Sequence, residues 1–89
     1  MTAAQRENFR LALLSVADAN GSRFGLPVAS FALFGRRFGF DEAPATAERE
    51  LDYLADKGLL AEVPKPISPE VRAWRITAAG RDFLAGKDE

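Results

Sequence analysis

The side chains left for chemistry are carboxylates, hydroxyls, lysines and arginines, because the chain contains neither cysteine nor histidine. Their absence excludes thiolate and imidazole nucleophiles, Ser-His-Asp triads, zinc fingers and a haem axial histidine. A metal site would have to be built from Asp and Glu alone, and their spacing shows no cluster of that kind. We therefore expect no catalytic residues, no metal and no cofactor, and a protein that is not an enzyme.

The charged side chains are arranged in blocks along the 89 residues. Residues 1–40 carry five basic and two acidic groups, and residues 41–62 carry two basic and seven acidic groups. Residues 63–81 are again basic, with four cations and one anion. The net charge is −1, and the isoelectric point near 5.5 lies well below the value of about 9 typical of nucleic-acid-binding domains. Any contact with nucleic acid must therefore rest on a local basic patch.

Helical periodicity predicts three helices in the first two thirds of the chain. The first extends from about Thr2, its predicted N-cap, to Ala19. The second is predicted from Pro27, whose missing N–H suits a first helical turn, to about Arg37. The third extends from about Pro44 or Ala45 to Lys57 and is ended by Gly58. Tyr53 is expected to point away from the core stripe of the third helix.

The last third of the chain reads as a hairpin followed by a short helix. Strands are predicted over residues 59–63 and 71–76, with Trp74 and Ile76 on one face. The loop 64–70 between them contains three prolines, which exclude a helix or a strand interior and favour a stiff, extended wing over a proline-rich ligand. Thr77 is predicted to cap a closing helix that ends at Gly86. Residues 1–86 would form one domain, with residues 87–89 as a frayed tail.

The predicted order is α-α-α-β-β-α, a mainly α fold with a small β-hairpin, and a plain helical bundle with an incidental hairpin is the alternative. Residues 50–60 (ELDYLADKGLL) and 74–80 (WRITAAG) resemble the second half of bacterial winged helix-turn-helix regulators, whose recognition helix ends in L-x-x-L-x-x-x-G-L and whose last helix opens with T-x-x-G. The resemblance covers about residues 45–84. It is closest to MarR-like, PadR-like and ArsR-like domains and to small phage proteins of that type.

This resemblance implies a DNA-binding transcriptional regulator of bacterial or phage origin. The helix at about 45–57 would enter the major groove of double-stranded DNA, the wing at 64–70 would touch the backbone, and the protein would act as a homodimer in the cytoplasm. No apolar run approaches the ~20 residues of a membrane helix, so no membrane partner is expected. The DNA-binding residues that the resemblance implies, with the basic groups beside them, are Arg36, Arg37, Thr46, Arg49, Tyr53, Lys57, Lys65 and Arg75.

Three of the basic candidates also have a structural alternative. Arg49 has the geometry to contact guanine with two hydrogen bonds, or it could pair with Asp52, Tyr53 or Asp56 along the helix. Arg36 and Arg37 could bind phosphate, or they could neutralise the C-terminal end of the second helix.

The third helix is acidic, which lowers its suitability for DNA. Asp52 and Asp56 share the predicted outward face with Arg49, and carboxylates repel phosphate. The alternative function is therefore a winged-helix protein–protein interaction module that does not bind DNA. It would offer a partner either this acidic face or an exposed aromatic side chain, one of Phe34, Phe38 or Phe40. Arg6 and Arg10 on the first helix are expected to form a solvated flank, or else to join a dimer interface.

Overall fold

Four helices pack around a small antiparallel sheet in the computed structural model, which describes residues 1–20, 24–63 and 72–87. The elements in chain order are α1 (Ala3–Ala19), β1 (Leu26–Pro27), α2 (Val28–Gly35), a 3-10 turn (Arg36–Phe38), α3 (Pro44–Asp56), β2 (Leu60–Glu62), β3 (Ala73–Ile76) and α4 (Ala78–Lys87). The mainly helical architecture with a small sheet confirms the coarse prediction. The layout is compatible with a winged helix.

The sheet has three strands in the order β1-β3-β2, so the predicted hairpin gains a strand from the segment before α2. Leu26 pairs with Trp74 and Pro27 pairs with Ala73. The prediction that the second helix begins at Pro27 is therefore wrong, since Pro27 is the last strand residue and the N-cap of α2. Proline is tolerated there because β1 is an edge strand.

Local capping chemistry ends the helices largely as predicted. The Thr2 side chain accepts a hydrogen bond from the N–H of Gln5, and the Gln5 side chain accepts one from the N–H of Thr2, which completes a capping box. Gly58 follows α3 with a φ of 79°, a conformation that favours glycine. At the far end, α4 continues one residue past Gly86, where the sequence predicted its end.

The second helix is shorter than predicted. The α-helical hydrogen bonding stops at Gly35, and residues 36–38 form the 3-10 turn that leads to Gly39, whose φ is 88°. Arg36 and Arg37 therefore lie in this turn, between α2 and α3.

The core lies where α1, α2 and α3 meet the inner face of the sheet. Its largest fully buried side chains are Trp74, Phe9, Phe31, Leu13, Leu14, Leu51 and Leu60. The predicted inward face of β3 is confirmed, because Trp74 and Ile76 are buried while Arg75 is exposed. Ala73 is also buried, although alternation placed it with Arg75.

Two of the sequence motifs that carry the winged-helix resemblance touch each other. The Thr77 hydroxyl donates to the carbonyl of Gly58 at 2.7 Å and accepts from the N–H of Gly80 at 3.0 Å. A Cβ on Gly80 would overlap the carbonyl oxygen of Leu59, so only glycine permits this close approach of α4. These residues therefore join the end of α3 to the start of α4.

Within the described ranges, none of the helices has the length and apolar character needed to cross a membrane.

Candidate functional site

Helix α3 presents one buried face and two charged flanks. Ala47, Leu51 and Leu54 are buried against the core. Glu48 and Asp52 lie on the flank that faces the sheet, and Glu50 and Tyr53 lie on the flank that faces α1. Arg49, between the two flanks, points into solvent.

Arg72 binds three carboxylates at the sheet flank. Its Nε and Nη2 donate to the Glu62 carboxylate at 3.0 and 2.7 Å. Its Nη2 and Nη1 also donate to Asp52, at 2.6 and 3.3 Å, and Nη1 donates to Glu48 at 2.9 Å. We call these four residues the Arg72 cluster. It joins the first described residue after the 64–71 segment to both α3 and β2.

Hydrogen bonds within the Arg72 cluster shift the pKa of Glu62 and the pKa of Arg72, and both shifts favour the charged form. Hydrogen bonds from Arg72 hold the pKa of Glu62 below its ordinary value of 4.5. The hydrogen bonds to Glu62 and Asp52 raise the pKa of the Arg72 guanidinium, so it stays protonated at any accessible pH. The guanidinium also lies over the Trp74 ring, 4.8 Å from its centroid. Three anions thus share one cation, and the cluster retains a net negative charge.

The opposite flank of α3 carries the buried carboxylate of Glu50, whose side chain is 8% exposed. Arg10 of α1 donates to it from Nε at 2.7 Å, and Nε of Arg6 lies 3.6 Å from its other oxygen. The Arg10 guanidinium also stacks 3.7 Å from the centroid of the Tyr53 ring. The prediction that Arg10 belongs to a solvated flank is therefore wrong. Arg10 pairs with Glu50, and a buried carboxylate requires such a charged partner.

The predicted DNA-binding residue at the centre of α3 is available to a ligand. Arg49 is exposed, and in the described part of the chain it forms no ion pair. Its predicted structural alternative, a pair with Asp52, is not formed because Asp52 binds Arg72. Asp56, the other predicted acidic partner, lies one helical turn after Asp52. It is exposed and forms no ion pair with the residues that the structure describes.

The basic residues outside α3 lie at two separate places. Arg36 forms a 3.3 Å ion pair with Asp41 on the surface, and Arg37 lies 5.2 Å from the centroid of the Phe34 ring. Arg75 is exposed on the outer face of β3, as predicted. Lys65 and the predicted wing at 64–70 lie outside the described residues.

The remaining predicted residues of α3 differ in exposure. Thr46 is half-buried in the first turn of the helix. Tyr53 is 38% exposed, which confirms that it points away from the core. Lys57 is the C-cap, exposed, with its Nζ 5.6 Å from the centroid of the Tyr53 ring. Tyr53 and Lys57 thus lie together with Arg10, on the α1 side of Arg49.

A groove of about 320 Å³ opens beside Tyr53, between α1, α3 and α4. Its apolar lining consists of Leu11, Leu14, Leu54, Leu59 and Phe83. Its polar lining consists of Glu7, Arg10, Tyr53 and Lys57. Nothing in the sequence pattern predicted this groove, because its residues come from three helices and one loop.

Two charged residues of this region were missed by sequence reasoning. Glu50 lies three residues after Ala47 and four before Leu54, so helical spacing already placed it at the edge of the buried stripe. That position was a usable signal. Arg72 offered none, because its partners lie 10 to 24 residues away in the chain.

No family model, curated protein or solved structure matches the chain. What this site does must therefore be inferred from its own residues.

Proposed function

We propose that this chain is a winged helix-turn-helix protein that binds double-stranded DNA as a homodimer and regulates transcription, with α3 as its recognition helix. The observation that carries the proposal is Arg49. It is an exposed arginine on the outer face of α3, and it forms no ion pair with any described residue. Arginine in that position has the geometry for a bidentate contact to guanine.

The element order supports the same assignment. α2, the 3-10 turn and α3 follow one another as the two helices of a helix-turn-helix do, and the strand order β1-β3-β2 provides the sheet from which a wing would project. The segment 64–71 connects β2 to β3 at that point. The same order of helices and strands thus supports both the proposed fold class and the proposed DNA-binding role.

The Arg72 cluster weakens the electrostatic objection to DNA binding. Glu48 and Asp52 are turned toward Arg72 on the sheet flank, and their charge is shared with a cation. Asp56 is the acidic residue of α3 that stays exposed and unpaired in the described structure. The face of α3 that carries Arg49 is therefore less acidic than the sequence count indicates, while the net negative charge of the Arg72 cluster lies on the sheet flank.

Phosphate contacts would come from exposed cations on α3, on the turn before it and on the sheet. Lys57 and Arg75 are exposed without an ion pair among the described residues, and Arg37 lies in the turn that precedes α3. The pair of Arg36 with Asp41 is exposed on both sides, so it would exchange readily for a phosphate. Few cations per chain mean weak binding by one copy, which is why the proposal includes a dimer.

The test is a fluorescence anisotropy titration with random-sequence duplex DNA at low salt and at about 0.15 M salt. We expect binding that weakens steeply with salt, because cations of the protein displace counterions from DNA. Arg49→Gln should weaken binding several-fold and leave the salt slope nearly unchanged, because Arg49 is proposed to contact a base rather than a phosphate.

The matched control is Arg81→Gln, which removes the same charge from α4, where Arg81 pairs with Asp18 at 3.5 Å. It should leave affinity within about twofold, since surface pairs contribute little. Equal losses in the two variants would mean that Arg49 acts only through net charge. Absence of binding at low salt would reject the DNA function.

A protein-docking function is the second candidate, and two exposed apolar side chains favour it. Leu33 is 59% exposed on α2 and Phe38 is 51% exposed in the following turn. Large apolar side chains exposed on neighbouring elements are candidates for a protein interface. Under this alternative, sedimentation would show a stable self-association or partner complex that is lost in Phe38→Ser, and the anisotropy titration would show no DNA binding.

A further inference from the structure

The groove between α1, α3 and α4 combines an apolar lining with unused hydrogen-bond donors. Four leucines and Phe83 form its apolar part. Arg10 donates only from Nε, to Glu50, so both of its terminal nitrogens lack a hydrogen-bond partner among the described residues. Stacking of the guanidinium on Tyr53 holds it in place.

The charge around the groove favours an anion. The Glu50 carboxylate balances one of its two arginine neighbours, Arg6 and Arg10. Lys57 then adds a second cation to the polar lining, against the carboxylate of Glu7. The net charge of these five residues is positive by one, in a chain whose net charge is −1.

We propose that this groove binds a small amphipathic monocarboxylate, with its apolar body against the leucines and its carboxylate on Arg10 and Lys57. The volume of about 320 Å³ is at the lower end of the range of small-molecule sites, which matches a compact or single-chain acid rather than a large cofactor. A guanidinium that is already oriented pairs with a planar carboxylate through two parallel hydrogen bonds. The site is separate from Arg49, and the inference does not depend on DNA binding.

The experiment is a nuclear magnetic resonance titration of the ¹⁵N-labelled full chain with octanoate. Octan-1-ol, which has the same tail length and no charge, is the matched ligand. We expect saturable amide shifts centred on Leu11, Leu59 and Phe83, and an affinity for octanoate at least about tenfold higher than for the alcohol, as a charge-assisted hydrogen bond implies.

Two conservative variants test the assigned cations while keeping the fold. Arg10→Lys retains a cation beside Glu50 but removes the guanidinium donors, and Lys57→Gln changes an exposed side chain. Each should weaken octanoate binding by about three- to tenfold, the effect of one lost hydrogen bond or charge. Arg49→Gln, outside the groove, should leave octanoate affinity unchanged.

Three results would overturn the proposal. The first is equal affinity for octanoate and octan-1-ol, which would remove the role of the cations. The second is a set of shifts that lies away from the groove or does not saturate. The third is a groove covered by a second copy of the chain, seen as self-association in sedimentation and as octanoate binding that weakens when protein concentration rises.

Discussion

Arg10 and Arg72, on opposite flanks of α3, both form ion pairs with carboxylates, but the two flanks differ in burial. Arg10 binds one carboxylate, Glu50, that is almost completely buried. Arg72 binds Glu48, Asp52 and Glu62, whose side chains are 39%, 46% and 45% exposed. The first flank has one short contact to a buried carboxylate, and the second has several contacts to carboxylates that are exposed to solvent.

Burial, rather than the number of contacts, decides how much stability is lost when an ion pair is broken. A carboxylate removed from water loses its hydration, so it depends on its partner for compensation. Exposed carboxylates keep much of their hydration when the partner is lost, and salt screens them. We therefore expect the single Arg10–Glu50 contact to outweigh the five hydrogen bonds made by Arg72.

The largest expected effect is that of Arg10→Met, which leaves Glu50 with only the longer contact to Arg6 among the residues that the structure describes. Methionine keeps an apolar stem against Tyr53, so the change isolates the lost charge. We expect the free energy of unfolding in urea to fall by about 3 kcal/mol, the loss typical of an uncompensated buried charge.

The double variant Arg10→Met/Glu50→Met is the control for that result. Removing both charges should restore stability to within about 1 kcal/mol of the native chain, because an apolar pair can replace a buried ion pair. If Arg10→Met alone is tolerated without loss, Glu50 is accessible to water and the contrast between the flanks fails.

A smaller effect is expected for Arg72→Met, despite the loss of three ion pairs. Exposed pairs contribute a few tenths of a kcal/mol each, so we expect a loss of about 1 kcal/mol at low salt. The loss should shrink at about 0.5 M salt, where repulsion among the three carboxylates is screened. A loss that equals that of Arg10→Met and ignores salt would contradict the comparison.

The smallest expected effect is a pH dependence that comes from Glu62. Its folded pKa lies below the ordinary value of 4.5 because of its hydrogen bonds to Arg72. A carboxylate with a lowered folded pKa stabilises the fold fully above its unfolded pKa. That stabilisation is lost as the pH falls through the folded pKa.

The measurement is a ¹³C titration of the Glu62 carboxyl group together with urea unfolding between pH 3 and pH 6, the range that brackets a carboxylate pKa of about 4.5. The native chain should titrate Glu62 below 4.5 and lose stability with acid more steeply than Arg72→Met. In the variant, the pKa of Glu62 should return toward 4.5. An unchanged pKa would show that Arg72 does not bind Glu62 in solution.

Much of the fold could be predicted because its signals are local. Thr2 caps α1, Gly58 ends α3 and Thr77 begins α4 through contacts that span only a few residues or require a special backbone angle. β1 could not be predicted, because two residues carry no periodicity. It is a strand only because Trp74 and Ala73 lie beside it.

The positions of the candidate site residues on α3 could be predicted from the sequence, but their ion-pair partners could not. Helical spacing placed Arg49 and Tyr53 on the outside of α3, and the structure confirms their exposure. The same spacing put Asp52 on that face, where it appeared free to oppose DNA. Whether a charge is paired depends on which distant residue packs beside it, and Arg72 is separated from Asp52 by 20 residues.

The sequence by itself determined that there are four helices, the ends of α1 and α3 and the exclusion of cysteine and histidine chemistry, since caps, periodicity and composition are properties of neighbouring residues. Only the tertiary structure decided that Glu50 is buried on Arg10, that Glu48 and Asp52 turn toward Arg72, and that four leucines and Phe83 line a groove. The Arg10–Glu50 pair joins residues 40 positions apart, and the groove brings Leu11 of α1 together with Phe83 of α4. They form only when packing of the apolar core brings α1, α3, α4 and the sheet together.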